Sequence, residues 1–107
     1  MDTLESLLAA IAPTGASRDI LNPANGELVA KVAVDTVDDL EKAIAAATKA
    51  QVSWAALGHE KRSALMMKAA DAIEAHAEPL AQLLSREQGK PLNGPNARFE
   101  IGGAAAW

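Results

Sequence analysis

Apolar residues follow two rhythms along the chain: a brief alternation between residues 18 and 34, and a recurrence every three or four residues elsewhere. Leu4, Leu7, Leu8 and Ile11 share one helical face, so a short helix is expected through about Ala12, capped by Thr3 or Asp2. Pro13, Thr14 and Gly15 break it. Residues 1–17 therefore read as an N-terminal arm, either a short helix or mobile. Residues 18–34 predict a β-hairpin. Asn25-Gly26 carries that prediction, because both residue types tolerate a positive φ. Asn22-Pro23 favours a turn and keeps the first strand short, while Val29, Val32 and Val34 suit the second. A lone pair of strands is marginal in water, so the hairpin is expected to join a larger sheet or lie on a helix.

The longer rhythm predicts four helices, at about 37–55, 60–76, 79–88 and 95–107. Thr36 is a good cap for the first, with Asp38 and Asp39 placed to favour the helix dipole. Leu40, Ala43, Ile44, Ala47, Ala50 and Trp54 form its inward face, and Gly58 ends the unit. The second helix turns Leu65, Met66, Ala69, Ala72 and Ile73 inward. The third begins at Pro79, buries Leu80, Leu83 and Leu84, and stops at Gly89 with Pro91 just beyond. The fourth follows Gly94-Pro95-Asn96 and carries Phe99, Ile101 and Trp107. No capping residue or breaker follows Trp107. The expectation is of a truncated chain; the alternative is a C-terminal helix docked through Trp107. The predicted class is mainly α with a short β-hairpin, an α+β piece.

Composition narrows the function. The chain has 107 residues, enough for one small domain, and alanine supplies 25 of its apolar positions against 28 larger ones. Alanine favours helix but buries little area, so such helices need a larger body beside them. The formal charge is −4 with no basic stripe, which argues against nucleic acid and weakly against an anionic membrane surface. With no cysteine there is neither a disulfide nor a thiol nucleophile. No secretory leader and no apolar run of membrane-spanning length is visible, so a cytoplasmic protein is expected.

No catalytic constellation stands out. Gly89-Lys90 lacks the other residues of a phosphate loop, and no glycine-rich dinucleotide turn follows a strand. His59 and His76 are read as surface or capping residues, Glu87 and Glu100 as solvated or structural acids, Trp54 as a core anchor, and Met66-Met67 as packing. No catalytic, cofactor-binding or metal-binding residue is assigned.

Four ordered segments then carry a resemblance. Asn22-Pro23-Ala24-Asn25-Gly26-Glu27 is similar to the early hairpin turn of the aldehyde dehydrogenase superfamily. VDDLEKAIAAATKAQVSW at 37–54 resembles its first helix, and KRSALMMKAADAI at 61–73 its next, with Arg62 and Leu65 at the matching places. SREQGKPL at 85–92 resembles the Glu-x-Gly-Lys-Pro segment before a long helix. The likeness spans about residues 20–107; residues 1–19 depart from the strand pair many members carry.

The resemblance implies that residues 18–107 are the incomplete N-terminal part of a Rossmann-like, α/β NAD(P)-binding domain. It implies a parent enzyme that oxidises an aldehyde to an acid through a cysteine thiohemiacetal, with NAD or NADP as cofactor. The residues for that chemistry, and those holding the cofactor, would lie beyond residue 107, so the piece alone is expected to be inactive and to bind no cofactor. It also implies a structural monovalent cation in some members, which would fall at Glu100 and the backbone near Leu21. The expected partners are the remainder of the enzyme chain and other copies of the piece, since uncovered helix faces favour self-association. The competing reading is a self-contained, non-enzymatic helical interaction module, supported by the small-residue helix faces.

Overall fold

The computed structural model describes residues 3–107. Its elements are α1 (Leu4–Ala10), β1 (Ser17–Leu21), β2 (Leu28–Ala33), α2 (Val37–Ala56), α3 (His59–Ala75), α4 (Ala77–Gln88) and α5 (Ala97–Ala106). The fold is mainly helical with one two-stranded antiparallel hairpin, as the periodicity predicts. The chain divides into two bodies, one of Asp35–Ala69 and the other of the residues up to Val34 together with Ala70–Trp107.

The second of these bodies is organised by α4, which touches α1, α5 and β2. Thr3 caps α1 through a reciprocal pair of bonds with Ser6; the alternative cap, Asp2, lies outside the described residues. Leu4 and Leu7, one turn apart, are buried. α1 ends at Ala10 rather than Ala12. Ala81 on α4 and Ala97 on α5 are both 0 % exposed. Packing methyl-sized side chains lets the two helix backbones approach closely, and larger residues there would force them apart. Leu80, Leu83 and Leu84, expected to be buried, are only half-buried.

The hairpin pairs Ser17 with Ala33 and Ile20 with Ala30, then slips at Leu21, which faces Leu28. Its connection corrects the expectation. Asn25 does not adopt a positive φ; Gly26 alone does, at 76°. The carbonyl of Asn22 accepts from the N–H of Asn25 at 3.3 Å and of Gly26 at 2.7 Å, while Asn22 Oδ1 accepts from the N–H of Ala24 at 2.9 Å. A helical turn thus starts at Asn22-Pro23 and is closed by one left-handed glycine, so the loop is longer than the two-residue kind Asn-Gly suggests.

Two helix starts also move. α4 begins at Ala77, which places Pro79 third instead of first; its missing N–H is harmless there because the first four helical N–H groups lack intrahelical partners. α5 begins at Ala97, not residue 95, because Pro95 and Asn96 belong to the preceding turn. Asn96 gives no side-chain cap, and the first N–H groups of α5 go instead to loop carbonyls, Ala97 to Pro91 at 3.2 Å and Arg98 to Leu92 at 3.1 Å.

In the Asp35–Ala69 body, Thr36 and Asp39 form a reciprocal capping box that starts α2. Gly58, at φ 77°, turns the chain into α3. Arg62 crosses that turn and donates from Nη1 to the carbonyl of Ala55 at 3.0 Å. The expected inward face is not covered here. Leu40 is 58 % and Ile44 57 % exposed, α2 buries no residue, and Trp54 is only half-buried. Leu65 and Met66 on α3, also expected inward, are exposed. The physical reason is that periodicity marks a face able to be buried but cannot supply the surface that covers it.

Candidate functional site

The most elaborated polar region lies where the Asn22–Glu27 loop meets the end of α4. Gly89 caps α4 in the left-handed region, at φ 69°, and its N–H bonds the carbonyl of Ser85. A side chain cannot follow there, because a β-carbon on Gly89 would lie 2.8 Å from Pro23 Cγ. Ser85 Oγ donates to the carbonyl of Lys90 at 2.7 Å and so fixes the exit from the helix. Beside this junction, an open depression of about 280 Å³ is lined by Asn22, Ser85, Arg86 and Lys90 among others.

Two ion pairs hold α5 against this frame. Arg98 on α5 clasps Glu78 on α4 with two parallel bonds of 2.9 Å, to Oε2 from Nε and to Oε1 from Nη2. Gln82 adds a bond to the same carboxylate at 3.1 Å. The Arg98 and Gln82 donors favour the ionised acid, lowering Glu78 to about 2, and Glu78 in turn raises Arg98. Arg98 also donates to Asn93 Oδ1, which ties the loop before α5 to the same guanidinium. Lys90 Nζ reaches Glu100 at 2.6 Å.

These groups position backbone; none is arranged as nucleophile and base. Glu100 is engaged by Lys90, a cation of the chain itself. His59 is the exposed first residue of α3. His76, half-buried at the junction of α3 and α4, holds its Nδ1 2.7 Å from the carbonyl of Ala72. Glu87, Met66 and Met67 are exposed. Among the described residues no group of three His, Asp or Glu side chains is placed to hold a metal ion, and no helix is long and apolar enough to cross a membrane. A dinucleotide site of the doubly wound type needs parallel strands and a glycine-rich turn into a helix N-terminus. The described sheet is an antiparallel pair whose glycine turn leads into a strand, so the residues present do not fit that group.

Sequence reasoning missed the Glu78–Arg98 and Lys90–Glu100 pairs, whose partners come from different elements. It also missed the Pro23–Gly89 contact. Only a repeated acid and base at fixed helical spacing would have signalled a pair, and neither pair has that spacing.

The described polar contacts tie the hairpin to one helix end and α5 to α4, and comparison with known proteins gives the family. The sequence matches the aldehyde dehydrogenase family over residues 11–107. It is also 43 % identical over 88 residues to a 3,6-anhydro-alpha-L-galactose dehydrogenase of Streptomyces coelicolor, covering 82 % of this chain and 18 % of that protein. The chain belongs to the aldehyde dehydrogenase family, a family of oxidoreductases. It spans less than a fifth of the length of that relative.

Proposed function

We propose that this chain is the N-terminal structural part of the NAD(P)-binding domain of an aldehyde dehydrogenase. The whole enzyme would oxidise an aldehyde to a carboxylic acid with NAD or NADP, the cofactors its family generally uses. The observation that carries the reading is the uncovered face of α2. A helix of twenty residues with Leu40 and Ile44 exposed and nothing buried is made to lie against more protein. The aligned stretch is 18 % of the Streptomyces coelicolor relative, which is consistent with further protein beside this chain in such an enzyme.

In this reading the thiolate that attacks the aldehyde and the groups that hold the cofactor belong to the remainder of the enzyme, since this chain has no cysteine. The role of residues 3–107 is to support that machinery. The loop at Asn22 and the α4–α5 ion pairs hold one set of elements rigid, while α2 offers its apolar face for cover.

A chimera tests this. The stretch of the Streptomyces coelicolor relative that aligns with 88 residues of this chain is replaced by this chain's residues, and substrate-dependent reduction of NAD(P) is measured. Retained activity in the chimera, with none from the chain alone, is the expected result. A folded chimera without activity, or turnover by the chain alone, overturns the reading. A monomeric chain that captures a helical partner, with an inactive chimera, would instead favour an interaction module.

A further inference from the structure

Two Asn-Gly pairs occur in the chain, Asn25-Gly26 and Asn93-Gly94, and the structure gives them opposite surroundings. An asparagine before glycine is open to attack within its own backbone. The glycine nitrogen loses its proton to solvent and adds to the asparagine Cγ. The side-chain nitrogen takes up a proton from solvent, the bond from Cγ to it breaks, it leaves as ammonia, and water then opens the cyclic imide to aspartate or isoaspartate. The reaction needs a free glycine N–H, a free leaving amide and support for the negative charge that gathers on Oδ1.

At Asn25 the first two are occupied and the side chain is pinned. The Gly26 N–H donates to the carbonyl of Asn22 at 2.7 Å. Asn25 Nδ2 donates to Glu27 Oε2 at 2.8 Å, and Oδ1 accepts from the Glu27 N–H at 3.0 Å. At Asn93 the first two are free, and the donor on Oδ1 is a cation where at Asn25 it is a neutral backbone N–H. Among the described residues neither Gly94 N–H nor Asn93 Nδ2 has a hydrogen-bond partner in the protein, while Oδ1 accepts from the Arg98 guanidinium. A cation there withdraws electron density from Cγ and stabilises an oxyanion in the intermediate. Asn93 and Gly94 are exposed to water.

We propose that Asn93 is a site of spontaneous deamidation, with Arg98 stabilising the intermediate, and that the loop at Asn25 protects the other pair. The product places a carboxylate beside Arg98, where it competes with Glu78. Isoaspartate in addition lengthens the backbone just before α5. This inference stands independently of the enzymatic reading.

The test is peptide mapping after incubation of the intact chain in mildly alkaline buffer. Trypsin separates Asn25, in residues 19–31, from Asn93, in residues 87–98. The expected result is deamidation about tenfold faster at Asn93 than at Asn25, equivalent to roughly 1.4 kcal/mol in barrier. That ratio should fall towards one in concentrated urea, where both pairs are released. Arg98→Gln should slow Asn93 and spare Asn25, and Arg98→Lys, which keeps a cation, should slow it less. A rate at Asn25 equal to or above that at Asn93 in the folded chain overturns the proposal. So does a ratio that persists unchanged in urea, or modification that maps to Asn96. If Arg98→Gln unfolds the chain, partial slowing of Asn93 in folded Arg98→Lys supports the role of Arg98, and an undiminished rate there overturns it.

Discussion

Pro23 sits so close over Gly89 that a β-carbon at Gly89 would lie 2.8 Å from its Cγ. The hairpin loop and the end of α4 therefore share one requirement, a residue with no side chain at the point of contact. The same glycine also ends α4 in a conformation, φ 69°, that other residues resist.

Gly89→Ala should consequently combine a backbone penalty with a clash and destabilise the chain by about 2–4 kcal/mol, since the left-handed conformation alone costs roughly 1–2. Gly26→Ala is the control. Gly26 has φ 76° but open space around its missing β-carbon, so only the backbone cost of about 1–2 kcal/mol applies. Urea unfolding of both variants measures the difference; equal losses would remove the contact with Pro23 from the account.

Acid should loosen α5 from α4. The folded-state value of Glu78 is depressed to about 2 from 4.5, so its contribution is present above about 4.5 and is lost as pH falls towards 2. The group is exposed, so the effect is a loosening and not collapse. Carboxyl NMR should show Glu78 titrating well below the ordinary glutamate value. In Arg98→Gln that low titration should move up; a Glu78 titration that stays low without Arg98 would assign the depression elsewhere.

Thr36→Ala removes the capping box at the start of α2, where Asp39 is lowered chiefly by its bond from the Thr36 hydroxyl. The expected cost is about 0.5–2 kcal/mol, with loss of helical signal. Thr36→Asn, another good cap, should restore most of it, and a failure of that rescue would argue against capping as the cause.

The uncovered faces predict that the isolated chain self-associates. Val37, Leu40, Ile44 and Val52 are all more than half exposed on α2. Light scattering should show mass rising with concentration, and Leu40→Glu with Ile44→Glu should reduce it at unchanged helical content. A clean monomer across a wide concentration range contradicts the prediction.

Local signals alone placed α2 and the hairpin along the chain. Thr36 and Gly58 bracket α2, observed at Val37–Ala56 against an expected 37–55, because capping and chain reversal act within a few residues. The Asn-Pro-Ala-Asn-Gly-Glu run announced a hairpin for the same reason. The four ordered motifs carry the family resemblance by themselves, because they lie within the residues that match the family.

Tertiary structure alone decided the rest. Whether Asn25 or only Gly26 takes a positive φ depends on the helical turn begun at Asn22 and closed by its carbonyl. Glu78 finds Arg98 twenty residues away, and Lys90 finds Glu100 ten away, because the fold packs α5 against α4. The exposure of Leu40 and Ile44 was equally illegible, since an apolar stripe records what a helix can bury and burial requires a neighbour. Short-range preferences are written residue by residue, whereas contacts between distant residues exist only once the chain has folded.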